Sequence, residues 1–289
     1  MQLNLKMGLG GKMNRGVLYY VTGDRHWCVL TVSLMSLRKF YNGPVALIIG
    51  DDGGEKIYDY ISQDARLAPI IPVDIRDEQE SYGRNTGYMT KPKMIRVSPF
   101  DSTVFLDADT VVVRDIEPLF IEPEGQVRLT SFGTWTTQQR KVVGRLKKWR
   151  DVDPYMVDKL IGTPYPALNT GVIAFGSGSR SMEFGMEWEV TTEMNPSFIA
   201  DEIAAQLIFL RHKVQVLDDR WNCSPIYGAN KDEVYIWHMH GKKHLREQAR
   251  PIWLPYFQRA CELDMAGINE WMPAGDKVLS NYLTEVSDV

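Results

Sequence analysis

The chain has little cysteine, no long apolar run and almost no excess charge, and each shortage excludes something. Its 289 residues contain only Cys28, Cys223 and Cys261, spaced too widely for a disulfide framework or a zinc pattern. That points to a reducing, cytoplasmic setting. No stretch has the length and apolarity of a transmembrane segment, and Met1 to Arg15 carries lysines and glycines without the continuous apolar run of a secretion signal. A net charge of −4 gives no reason to expect nucleic-acid binding. Repeats and low-complexity linkers are also lacking, so one α/β domain over 1–289 is expected.

What is present is a succession of short apolar strands separated by helical patterns. Gly16 to Thr22 reads as a buried strand, and Trp27, Leu30, Leu34 and Leu37 fall on one helix. Val45 to Ile49 is a second strand, stopped by Gly50-Asp51-Asp52-Gly53-Gly54. Pro69 to Val73 is a third, whose prolines mark a sheet edge or a strand end. Tyr88 to Val97 reads as helix with Pro92 in a first turn, and a strand follows at 103–106. This alternation predicts a parallel sheet with ligands beyond the carboxyl ends of its strands. The second half is mixed: strands near 126–130, 168–175, 213–217 and 234–238, a basic helix at 137–150, and helices near 180–193, 201–211 and 252–263.

The most informative segment is Val104-Phe105-Leu106-Asp107-Ala108-Asp109-Thr110-Val111-Val112-Val113, an apolar strand broken by two carboxylates. In extended chain alternate side chains share a face, so Asp107 and Asp109 would point the same way from the strand end. Two adjacent anions repel, and the arrangement is costly unless a cation sits with them. A divalent ion carrying phosphate suits that need, because hard cations take carboxylate and phosphate oxygens together. The bland reading is a turn with two solvated aspartates.

At this point the residues resemble a known family. Thr90-Lys91, then Arg96, then Phe105-Leu106-Asp107-Ala108-Asp109-Thr110 is similar to the nucleotide-sugar core of glycogenin and its relatives in glycosyltransferase family 8, which have a GT-A fold. Val21-Thr22-Gly23-Asp24, Leu168-Asn169-Thr170-Gly171-Val172 and Trp237-His238-Met239-His240-Gly241 agree in order, so the resemblance spans roughly 16–245. It implies a central, mostly parallel Rossmann-like sheet. Residues 16–125 would form the nucleotide-binding half, 126–245 the donor-sugar and acceptor half, and 246–289 a C-terminal helical segment.

The resemblance also implies roles. Asp107, Asp109 and His238 would hold Mn²⁺, with Mg²⁺ as the alternative and His240 as a second candidate ligand; two carboxylates and an imidazole suit Mn²⁺. Lys91 would reach the donor diphosphate or sugar. Val21, Thr22 and Asp24 match the family's nucleotide-binding loop, with Gly23 replacing a frequent asparagine and His26 standing where an aromatic ring often stacks on the base. Ala108 lies between the two acids, and Asn169, Thr170 and Gly171 match the donor-sugar pocket. Asp201 and Glu202 match an Asp-Gln pair near the reacting carbon, with glutamate replacing glutamine. Gly241, Lys242 and Lys243 would bind phosphate by type, since the family's Lys-Pro-Trp is absent. For each of these the alternative is structural: a solvated first-turn lysine, a strand-end histidine, a polar turn, or acids favoured by a helix dipole.

The implied activity is metal-dependent, retaining transfer of a sugar, with UDP the expected nucleotide, to a glycan or protein acceptor. Trp135, Arg145 and Lys148 belong to a segment, 135–150, with two tryptophans and six basic side chains, which suits sugar stacking or an acidic acceptor. Asn222 matches a family asparagine on the acceptor side. Nothing in the sequence conflicts with a homodimer. The rival reading is a haloacid-dehalogenase-like phosphatase with Asp107 as nucleophile, Asp109 as general acid and Asp218-Asp219 as the late acidic pair. A nucleotidyltransferase is disfavoured because 21–26 lacks a Gly-rich basic loop.

Overall fold

A computed structural model describes residues 15–78, 86–136, 160, 162–194, 196, 199–226, 231–240 and 247–270. The expected basic helix 137–150 with Arg145 and Lys148, and the loop residues Gly241, Lys242 and Lys243, lie outside these residues.

Among the described residues a seven-stranded sheet runs in the order β3-β2-β1-β4-β7-β6-β8. Its strands are β1 (Arg15–Val21), β2 (Val45–Ile49), β3 (Ile70–Asp74), β4 (Ser102–Leu106), β6 (Arg128–Thr134), β7 (Pro166–Gly176) and β8 (Gln215–Leu217). The first four are mutually parallel, β7 is antiparallel to both β4 and β6, and β8 is parallel to β6. β3 is an edge strand, one of the two placements its prolines suggested.

The two faces of the sheet follow from strand alternation. Val17, Tyr19 and Val21 of β1 point to one side, where α1 (Trp27–Leu37), α2 (Asp52–Gln63) and α7 (Arg250–Glu262) pack. Leu18, with Ala46, Ile48 and Phe105, faces α4 (Met94–Val97), α5 (Ser179–Met194) and α6 (Ala200–Ile208). A further short helix, α3 (Thr86–Thr90), precedes α4. α1 is buried nearly all round because the segment Thr110–Val112 and α7 also pack against it.

Two local expectations need correction. The glycine-rich stop after β2 is the first turn of α2: Asp51 caps it by accepting from Gly54 N–H at 2.8 Å. Gly53 is required there, since a Cβ would press on the Gly23 backbone at 2.6 Å. The second correction concerns 104–113, which is not one interrupted strand. β4 ends at Leu106, and β5 (Thr110–Val112) leaves to pair antiparallel with β9 (Ile236–His238) in a separate two-stranded sheet. Asp107 to Thr110 is a tight turn closed by Thr110 N–H to Asp107 C=O at 3.2 Å.

Candidate metal and sugar-nucleotide site

The turn, not strand alternation, brings the two acids together. β1 and β4 are parallel neighbours, so the first loop and the Asp107–Thr110 turn emerge at one rim. A hydroxyl chain that the sequence reading missed holds the turn from below. Thr110 Oγ1 donates to Asp107 C=O at 2.9 Å, and Ser33 and Tyr19 extend the chain at 2.9 and 3.0 Å.

β9 pairs Thr110 with His238, and Met239 N–H donates to Asp109 C=O at 2.8 Å. His238 Nε2 therefore lies 3.1 Å from Asp109 Oδ1 and 3.6 Å from Asp107 Oδ2. Among the described residues these three side chains form the group whose ligand atoms all lie within 4.8 Å of one another. Gly171 makes room for the ring: a Cβ there would overlap the His238 imidazole.

A second set of charges lies deeper. Lys91, 7% exposed, places Nζ 2.8 Å from Asp107 Oδ1 and 3.4 Å from Asp201 Oδ2. Thr170 Oγ1 donates to Asp201 Oδ2 at 2.5 Å, and Asn169 Nδ2 donates to Glu202 Oε1 at 2.8 Å. Asp201 Oδ1 is buried without a hydrogen-bond partner among the described residues, a spare acceptor facing no donor. Asp201 and Glu202 begin α6 behind Ile199, whose backbone is left-handed (φ 63°). A β-branched residue is strained there, and such strain gathers at functional sites.

The charges explain one another. Burial pushes the Asp107 carboxyl above its ordinary range, against the pull of Lys91 and His238. For Asp109 burial acts the same way, but His238 reverses it and holds the pKa at about 2. Burial would lower Lys91, whereas Asp107 and Asp201 together raise it, so it stays charged. Among the described residues, the carboxylates of Asp107, Asp109, Asp201 and Glu202 thus gather around the Lys91 ammonium and the His238 imidazole. A divalent cation would correct that imbalance, and two carboxylates with an imidazole nitrogen form a fitting donor set.

The remaining predicted residues fall around this centre. Val21 is buried at the end of β1, Thr22 is half-buried, and Asp24 is exposed. Both oxygens of Asp51 accept from Gly23 N–H at 2.8 Å, which fixes the loop. His26 is half-buried and within electrostatic reach of Asp109, Asp107 and Asp51, although burial and Arg25 keep its pKa below the ordinary value. Ala108 is 9% exposed between the acids. Tyr88 on α3 was missed; it is half-buried at the same rim, where burial, Asp201 and Asp107 raise its pKa.

Two residues expected on the acceptor side, Trp135 and Asn222, are buried. Trp135, 3% exposed, packs with Phe132, Leu160, Ala167 and Ile203. Asn222, also 3% exposed, is bonded to His238, Asn169 and Thr130. The phosphatase reading loses its late acidic pair, because Asp218 caps and pairs with Arg220 and neither Asp218 nor Asp219 joins the metal-ligand group. Its nucleophile strand would also open the domain, whereas Asp107 follows the fourth strand.

No family model matches the sequence, and no curated protein does. Solved structures do match. Mouse xyloside xylosyltransferase 1 is 14% identical, with a TM-score of 0.53, covering 80% of this chain and 98% of that one. The galactosyltransferase LgtC, solved with donor and acceptor sugar analogues, is 14% identical with a TM-score of 0.53, over 87% of this chain and 95% of its own. The glycosyltransferase GlyE of Streptococcus pneumoniae TIGR4 is 15% identical with a TM-score of 0.57, over 91% of this chain and 64% of its own. The chain accordingly has the α/β architecture of the GT-A glycosyltransferases, a mostly parallel sheet flanked by helices.

Proposed function

We propose that the protein is a metal-dependent glycosyltransferase that takes a sugar from a nucleotide-diphosphate donor, UDP being the expected nucleotide, and transfers it with retention to a glycan or protein acceptor. The observation that carries this reading is the convergence of Asp107, Asp109 and His238 beside the first loop, with Lys91 behind them. The fold shared with the xylosyltransferase and galactosyltransferase structures supports it. Asp107, Asp109 and His238 would hold Mn²⁺, or Mg²⁺ in its place. When bound, the ion supplies positive charge to a diphosphate leaving group.

The chain's own groups account for the rest. Val21, Thr22, Asp24 and His26 line the nucleotide side, and Lys91 adds a fixed charge where negative charge grows as the sugar–phosphate bond breaks. Asn169, Thr170, Gly171 and Asp201 face the donor sugar, and the spare Asp201 Oδ1 suits a sugar hydroxyl. Glu202 stands beside them, 8% exposed with Oε1 held by Asn169. It supports retention either as a neighbour to same-face attack or as a carboxylate nucleophile. By the same resemblance Gly241, Lys242 and Lys243 would serve the phosphates, and Trp135, Arg145 and Lys148 would serve the acceptor. A cytoplasmic location fits the wide spacing of Cys28, Cys223 and Cys261, which makes no disulfide framework.

The test is a panel of nucleotide sugars with Mn²⁺, followed as nucleotide release without acceptor. Release from one donor, lost on chelation and in Asp109→Asn, is expected. A phosphorylated aspartate trapped at Asp107, with no nucleotide release, would replace this reading by the phosphatase.

A further inference from the structure

We propose that Asn222 is a positioning residue that fixes which nitrogen of His238 faces the two acids, through an order of hydrogen bonds that starts at the Gly171 backbone. The inference rests on the metal site of the proposed function.

The backbone N–H of Gly171 can only donate, and it meets Asn169 Oδ1 at 2.9 Å. That fixes the Asn169 amide with Nδ2 toward Glu202 Oε1, at 2.8 Å, where a carboxylate oxygen requires a donor. Asn222 approaches the same Asn169 Oδ1 at 2.5 Å, so the Asn222 atom there must be its NH₂. A second anchor agrees. The Asn169 carbonyl can only accept, so Thr130 Oγ1 donates to it at 3.2 Å and keeps a lone pair for Asn222 Nδ2 at 2.7 Å. Both Asn222 amide protons are thereby used.

Asn222 Oδ1 is left facing His238 Nδ1 at 2.7 Å. Only an N–H satisfies that contact, so Nδ1 carries the proton. The lone pair of the neutral ring then belongs to Nε2, the atom 3.1 Å from Asp109 and 3.6 Å from Asp107. Without Asn222 the preference reverses, because two carboxylates beside Nε2 favour a proton there and Nδ1 would be the bare nitrogen. The relay prevents a donor from pointing into the place where a cation would bind. All of its members are at most 8% exposed, so water does not compete for these bonds.

The direct reading is long-range ¹H–¹⁵N correlation of the His238 ring, in metal-free protein and in buffer alkaline enough to leave the imidazole neutral. The wild-type protein is expected to show Nδ1–H with an unprotonated Nε2, and an Nε2–H pattern would overturn the proposal without any variant. In Asn222→Ala the proton should move to Nε2, and Mn²⁺ affinity measured by calorimetry should fall about 10–100-fold, as for lost partners of metal-bound histidines. Asn222→Asp keeps an acceptor at Nδ1 and should retain the Nδ1–H form, although it sets an oxygen against Asn169 Oδ1 and should lower stability. Unchanged tautomer and affinity in Asn222→Ala would refute the role. An intact Nδ1–H relay in a protein that hydrolyses no nucleotide sugar would support it while removing the functional reading.

Discussion

Asp107 and Asp109 keep 28% and 25% of their side-chain surface in solvent, whereas Lys91, Asp201 and His238 keep only 8%, 2% and 4%. The outer pair sits in a turn on a parallel rim, where a ligand can come and go. The inner groups come from a strand end and from helical starts inside the fold, where every polar atom must find a partner or remain costly. The rim residues are therefore open to a ligand, and the inner residues hold the rim rigidly while His238 also reaches into it. Variants of the two should fail differently: the rim should lose function at little cost in stability, and the interior should lose both.

The largest effect is expected for Lys91→Met. Removing the ammonium that lies between Asp107 and Asp201 leaves these carboxylates uncompensated, at a cost of about 3–5 kcal/mol by denaturant unfolding. Nucleotide release should disappear with it. Gly171→Ala comes next: the added methyl meets the His238 ring and Asn169 Oδ1, and overpacking of this kind costs about 1–3 kcal/mol. Its Mn²⁺ binding should weaken in parallel, and weakened binding with unchanged stability would move Gly171 from the inner set to the rim.

Thr110→Val is the intermediate case, because it removes the donor to Asp107 C=O and one of the two hydroxyl partners of Ser33 Oγ, for a loss of about 1–3 kcal/mol. A melting temperature equal to wild type would mean that the turn holds itself without the hydroxyl chain. The smallest effect lies outside the site. Asp64 binds Arg66 and the Ala266 backbone N–H; burial opposes ionisation there, but these bonds prevail and lower its pKa below 3.8. A lowered carboxyl contributes stability above its unfolded value and loses it as pH falls through the folded one. Asp64→Asn should therefore flatten the acid limb of stability below pH 3.8 by no more than about 1 kcal/mol, given the exposed Arg66 partner.

The contrast between rim and interior also describes what could be read from sequence. β1, β2, β3 and β4 were visible as apolar runs between helical patterns, and parallel order follows from that alternation alone. The convergence of the first loop with Asp107 and Asp109 followed too, although for the wrong local reason, since a turn and a change of sheet replaced strand alternation. The start of α2 was hidden because Gly53 and Gly54 look like a loop, and the need for Gly53 becomes visible only once the Gly23 backbone packs against it. The relay from Gly171 to His238 left no sequence signal. Its contacts join residues 130, 169, 202, 222 and 238, and their donor order depends on backbone atoms that are the same in every residue.

The central claim is that Asp107, Asp109 and His238 together hold one divalent cation. Crystals grown with Mn²⁺ and measured near its absorption edge test it most directly. The account predicts one anomalous peak in coordination range of Asp107, Asp109 and His238 Nε2, absent in Asp109→Asn. A peak elsewhere, or full density for the three side chains with no peak between them, would contradict it.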